Sequence, residues 1–195
     1  YLKNTSAGAV SWSALSSDFV KLAEINHTTG ASSIELQQFI TSTYKNYKLV
    51  FGNCYTANEQ LYIQAMTGTN TAYTSSNYYY TGEGYYKRYV GGTNSSHDNF
   101  QGTPEARFVV SPGFNWYTDA GYAGSMTMDL FAEANHSLSA VGHYFTPRYT
   151  GSYLYKGSYG GVIVDTSQTW TGLKLYLSSG GNLNEMDIRI YGLKD

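Results

Sequence analysis

Gly172-Leu173-Lys174-Leu175-Tyr176-Leu177 and, after Ser178-Ser179-Gly180-Gly181-Asn182, Met186-Asp187-Ile188-Arg189-Ile190-Tyr191-Gly192-Leu193 decide the fold. Both runs alternate with a period of two. Leu173, Leu175 and Leu177 point one way, Lys174 and Tyr176 the other; Met186, Ile188 and Ile190 oppose Asp187, Arg189 and Tyr191. Successive side chains of a strand lie on opposite faces, so each run offers one apolar and one wet face. The intervening Ser, Gly and Asn have turn composition. The pattern predicts a hairpin with a long connection, and further sheets packed over its apolar face.

The other segments agree with an all-β chain. Phe19–His27, Ser33–Leu36, Tyr47–Tyr55, Gln60–Thr67 and Ser125–Ala132 read as strands, with Leu61, Ile63 and Ala65 on one face and Met126, Met128 and Leu130 on another. Leu138–Tyr149, Tyr153–Lys156 and Gly161–Asp165 are further strand candidates, and Ala106–Ser111 is a short one. Gln37–Asn46 reads as one helical turn or a loop. Asn70–Gly102 reads as short strands around Tyr78 and Tyr85–Val90 followed by a long exposed loop. Many short strands, frequent turn signals and no long amphipathic helix predict an antiparallel β-sandwich, jelly-roll-like. Residues 1–17, rich in Ser, Ala and Asn, read as a linker segment anchored by Trp12, and residues 18–195 as a single domain. The first residue is Tyr1 rather than Met, and the chain is expected to be a piece of a longer polypeptide.

Bulk composition narrows the function. With 195 residues, 13% charged and a net charge of -2, the chain shows no electrostatic footprint for nucleic acid or an anionic membrane. Twenty-one tyrosines and low charge are unlike a disordered composition. No apolar run approaches the ~20 residues of a spanning helix, so no membrane insertion is expected. Cys54, the single cysteine, reads as a buried, inert thiol within a strand.

Several motifs resemble a domain found at the ends of tailed-bacteriophage virion proteins. Tyr44-Lys45-Asn46-Tyr47-Lys48-Leu49 is similar to its Tyr-x-x-Tyr/His-Leu-x-Leu opening. Asn77-Tyr78 resembles its Asn-Tyr step, and Asp98-Asn99-Phe100-Gln101-Gly102 its Asn-Phe-x-Gly loop. Trp170-Thr171-Gly172-Leu173-Lys174-Leu175, a Gly-Asn turn and Ile188-Arg189-Ile190-Tyr191-Gly192-Leu193 are similar to its closing hairpin, which ends in Leu-Tyr-Gly-Ile. The resemblance runs from about Phe19 to Leu193. It implies a tail-fibre, tail-spike or decoration domain of a virion, often a jelly roll and usually a homotrimer among other virion proteins. It carries over no catalytic or ligand residues.

Enzyme motifs are missing from the sequence: there is no Gly-x-Ser-x-Gly, no phosphate-binding glycine loop and no His-x-x-x-His pair. His27, His97, His136 and His143 are scattered and read as surface or core residues. Glu83, Asp98, Glu105 and Asp119 could serve a glycosidase or hold calcium, but no spacing demands either. No cofactor or metal is expected.

The aromatic residues carry the functional reading. A Tyr or Trp ring stacks on the C–H face of a sugar while Asp, Asn or Gln bonds its hydroxyls. Tyr78, Tyr79, Tyr80, Tyr85, Tyr86, Trp116, Tyr117 and Tyr122 lie in Gly- and Asn-rich sequence, near Asn99 and Asp119. The rings either fill the sandwich or a subunit interface, or face a ligand. Trp170 is assigned to the core. Tyr79, Tyr85, Tyr86, Asn99, Trp116, Tyr117 and Asp119 are the candidate glycan-binding residues. The expected function is non-catalytic recognition of a bacterial cell-surface glycan from the tail fibre of a virion. The alternatives are a purely structural virion component and a depolymerase or esterase.

Overall fold

The alternation read from the sequence becomes fifteen strands in the computed structural model, which describes residues 2–4, 10–12, 18–56, 59–69, 71–88, 95–109, 124–133, 135–146 and 153–194. In chain order they are β1 (Leu2–Asn4), β2 (Val10–Trp12), β3 (Phe19–His27), β4 (Ser33–Leu36), β5 (Asn46–Thr56), β6 (Leu61–Gly68), β7 (Thr71–Ala72) and β8 (Tyr78–Arg88). β9 (Ser95–Glu105), β10 (Phe108–Val109), β11 (Gly124–Phe131), β12 (His136–Thr146), β13 (Tyr153–Gln168), β14 (Gly172–Leu177) and β15 (Leu183–Leu193) follow. No helix occurs among the described residues, and none is long and apolar enough to cross a membrane.

Two antiparallel sheets face each other. The larger runs β3-β15-β5-β11-β12-β13-β8-β9, and the smaller β10-β6-β14-β4 with β7 beside β6. Eight of these strands, β3, β4, β5, β6, β10, β11, β14 and β15, are divided four and four between the sheets. Numbered one to eight, they run 1-8-3-6 in the larger sheet and 2-7-4-5 in the smaller, which is the jelly-roll order. β8-β9 and β12-β13 are insertions, and both add to the same edge of the larger sheet. β1 and β2 pair with each other.

The core lies between the sheets. Leu49, Phe51, Met126, Met128, Leu130, Ile188 and Ile190 of the larger sheet are buried together with Leu61, Ile63, Ala65, Leu173 and Leu175 of the smaller. Trp170 joins them, and its Nε1 donates to the His136 carbonyl at 2.8 Å. Cys54 is buried, and desolvation pushes its thiol far above the usual range, as expected of an inert thiol.

The expected closing hairpin is corrected. β14 pairs with β6 and β4, whereas β15 pairs with β3 and β5, so the two strands lie in different sheets. Their apolar faces meet across the core. Pairing in one sheet would place both faces on the same side and leave each needing another cover. The long connection makes the crossing. The Glu59 carboxylate accepts Ser179 N–H at 2.7 Å, and Gly180 supplies a φ of +80°.

Two other expectations change, and one open choice is decided. Residues 37–45 are a loop rather than a helical turn, and Asn46 already belongs to β5. Tyr153–Gln168 is one sixteen-residue strand where two were expected, and Ser95–Glu105 is a strand where a loop was expected. Gly157, Gly160 and Gly161 sit inside β13, bracketed by β12 and β8, so their punctuating effect is overridden by pairing on both sides. The β9 edge carries Pro104, which an edge strand accommodates because no ladder N–H is lost.

Candidate ligand-binding groove

The four added strands and the end of the adjoining β11 present an outward face. Their register stacks it into rows that cross the strands. The first is Phe131-Ser139-Ile163-Tyr79, the second Val141-Gly161-Thr81-Gln101 and the third His143-Tyr159-Glu83-Asn99. A fourth contains Phe145, Gly157 and Tyr85. Gly161 has no side chain and Thr81 a short one, so the second row is low between its neighbours. Two adjoining hollows result, of about 800 Å³ toward the third row and about 430 Å³ toward the first. They share the four residues of the second row, one from each of β12, β13, β8 and β9.

The two walls differ chemically. On one side Phe131, Ile163 and Tyr79 are 45, 41 and 41% exposed, and Val141, in the low row itself, is 51% exposed. These are large apolar groups held in water by the sheet beneath them. On the other side His143 stacks on Tyr159 with ring centroids 6.0 Å apart and planes at 28°. The Tyr159 hydroxyl donates to the Glu83 carboxylate, which holds the phenol protonated above its usual range. Asn99 and Gln101 complete this side from β9, both exposed. Ring faces and hydrogen-bonding groups thus line opposite sides of one channel.

Three of the seven candidate residues come together here. Tyr79, Tyr85 and Asn99 share the outward face, and Tyr79 and Tyr85 are exposed. Tyr79 and Tyr85 stand on one continuous strand where two short ones were expected, and Asn99 on a strand where a loop was expected. Two features hid this: both faces of β8 carry tyrosine, which blunts alternation, and the pairing partner β13 lies about eighty residues away. Tyr85 lies over Gly157: a Cβ there would come within 2.5 Å of its ring. Tyr86 is in β8, opposite Lys156 and Ser96. Trp116, Tyr117 and Asp119 lie outside the described residues, as does Tyr122. Tyr78 is sealed in the core, accepting Ala65 N–H and donating to the Tyr73 carbonyl, so of the Tyr78-Tyr79-Tyr80 run only Tyr79 is fully outward. Tyr80 crosses Gly102 on the neighbouring strand, and burial pushes its phenol up to about 12.

Sequence reasoning missed His143, Tyr159, Val141, Ile163 and the glycine floor. The signal available was Tyr159-Gly160-Gly161 between two strand candidates, an aromatic beside residues that leave space. Glu83 is the one carboxylate among the described lining residues. Glu105 instead lies 3.4 Å from the Tyr80 hydroxyl, and Asp119 is outside the described residues. Among the described residues no three His, Cys, Asp or Glu side chains gather as a metal site.

Several motif residues behind the resemblance hold the fold. Tyr44 lies over Gly192, where a Cβ would come within 2.6 Å of the ring. The Tyr47 hydroxyl accepts Thr41 N–H at 2.9 Å and donates to the Tyr44 carbonyl at 2.8 Å. Asn77 donates to the Tyr73 hydroxyl at 2.8 Å. The chain matches no protein-family model and no curated protein sequence.

Proposed function

We propose that this chain is a virion domain of the tail-fibre kind that recognises a bacterial cell-surface glycan in the groove, without catalysis. The observation that carries the glycan reading is the pairing of opposite walls: rings and aliphatic groups at Tyr79, Ile163 and Phe131, hydrogen-bonding groups at Tyr159, Glu83 and Asn99. A sugar ring has the matching anisotropy, an apolar C–H face and a hydroxyl rim. The walls stand on paired strands, so little side-chain or backbone order is lost on binding. Placement on a virion rests on the resemblance, as does assembly as a homotrimer. A trimer would multiply weak single-site binding through effective concentration. The test is a bacterial glycan array read with wild type, Tyr159→Ala and Tyr79→Ala. Retention by wild type and weaker retention by both variants, at unchanged melting temperature, supports the reading. No binding to any surface polysaccharide defeats it.

A second reading has its own observation. Phe131, Val141 and Ile163 form a contiguous exposed apolar patch, and such patches also mark subunit contacts. In that case Val141→Glu lowers the oligomeric state in analytical ultracentrifugation, and the array stays blank.

A further inference from the structure

The groove is open in the direction that crosses the strands, and four neighbouring strands each give it a residue. On β13, Ile163 and Tyr159 flank Gly161; on β8, Tyr79 and Glu83 flank Thr81. On β12, Ser139 and His143 flank Val141. On β13 and β8 the middle residue is the smallest of its three, so the row is deepest at Gly161 and Thr81; on β12 Val141 stands above Ser139 and forms a step at that end. The steps are one strand spacing, about 4.8 Å, so the passage from β12 to β9 spans about 14 Å. A pyranose ring advances an extended glycan by a similar step. At the β9 end the low row reaches the edge of the sheet with Gln101. At the other end it continues beyond Val141 into Asp129 and Lys48, an ion pair at 3.0 Å whose side chains are partly exposed. A pocket for a terminal sugar encloses one ring on all sides. Here the described residues wall the channel on two sides and leave the direction across the strands open.

We infer that the groove takes an internal stretch of a linear polysaccharide, laid across β12, β13, β8 and β9, rather than a chain end or a single sugar. This rests on the glycan reading above and names the form of the ligand. Successive rings turn their C–H faces toward Ile163 and Tyr79 and their hydroxyls toward His143, Tyr159, Glu83 and Asn99. Neighbouring strands offer successive positions along one chain, and each added unit gains contacts until the strands run out.

The experiment uses the intact protein and a size ladder of fragments, from monosaccharide to octasaccharide, prepared from the purified bacterial surface polysaccharide that it retains. Binding is followed by titration calorimetry. Affinity is expected to rise by about ten-fold or more between one and four units and then to level off. Thr81→Arg, an exposed mid-row change, is expected to lower binding of the longer fragments by about ten-fold or more, with the melting temperature kept. A monosaccharide that binds as tightly as the long fragments overturns this inference and leaves the glycan reading standing. A length dependence that Thr81→Arg does not touch places the chain elsewhere and also overturns it. If no surface polysaccharide is retained, the glycan reading falls and this inference falls with it.

Discussion

Gly160 and Gly161 are neighbours on β13, and opposite outcomes are expected from the same substitution. An added Cβ at Gly161 meets the Ala140 carbonyl oxygen and Val141 Cγ1, each at 3.5 Å, which is ordinary van der Waals contact. Gly161 also has no positive φ, so a side chain brings no backbone strain. Glycine inside a strand costs roughly 0.5–1 kcal/mol relative to alanine, and valine suits a pleated surface better still. Gly161→Val is therefore expected to stabilise by about 0.5–1 kcal/mol, or about 1–4 °C in Tm for a domain of this size. At Gly160 the Cβ falls 2.6 Å from the Thr81 carbonyl oxygen and 3.0 Å from Gly82 Cα, both backbone atoms of β8 that cannot swing aside. Gly160→Val must push β13 and β8 apart, at about 1–3 kcal/mol on the scale of overpacked cores. Thermal unfolding followed by circular dichroism compares the two. The binding arm uses the same Gly161→Val protein, because its isopropyl group stands on the groove floor. Retention of surface polysaccharide should fall about ten-fold or more, equivalent to about 1.4 kcal/mol. Gly161→Val melting below Gly160→Val would refute the packing reasoning. A stable Gly161→Val that binds like wild type would remove the groove as the binding site.

Two further outcomes follow from the fold. Gly192→Ala drives a methyl group into the Tyr44 ring and should cost about 1–3 kcal/mol; in a Tyr44→Ala background the added cost should vanish, and additive losses in the double-mutant cycle would refute the contact. Tyr78 and Cys54 are both raised by burial, from ordinary values of 10.0 and 9.0. Their folded-state values lie above their unfolded ones, so their contribution is complete below about pH 9 and is lost as pH rises beyond it. Stability should decline by about 1.4 kcal/mol per pH unit for each group once its unfolded form ionises. Urea unfolding from pH 7 to 11 checks the slope, and a flat profile would contradict the burial of both groups.

Much of the groove escaped the sequence for a definable reason. The exposure of Tyr79, Tyr85 and Asn99 was legible because aromatic and amide residues among glycines suggest a displayed surface. Tyr159 and His143 were not, because their role depends on standing beside Glu83 and each other. That juxtaposition is set by the register of β12, β13 and β8, whose residues lie up to about eighty positions apart. Part of the resembling motifs carried fold information instead: Tyr47 and Gly192 lie in the jelly-roll strands of the larger sheet with Tyr44 in the connection before β5, whereas Asn99 and Gln101 of the Asn-Phe-x-Gly motif lie in its extension.

By itself the sequence determined that this chain is all-β, where β3, β4, β6 and β11 lie, and that Leu61, Ile63 and Ala65 of β6 and Met126, Met128 and Leu130 of β11 face the core. Those properties are local: they follow from the two-residue period of a strand and from the affinity of each side chain for water. Only the tertiary structure decided that β14 and β15 occupy opposite sheets, and that two insertions extend one sheet into a grooved face. Alternation says which side of a strand must be covered. Which distant strand covers it, and which one pairs alongside, depends on closing long loops over a shared core, and nothing in the neighbouring residues encodes that choice.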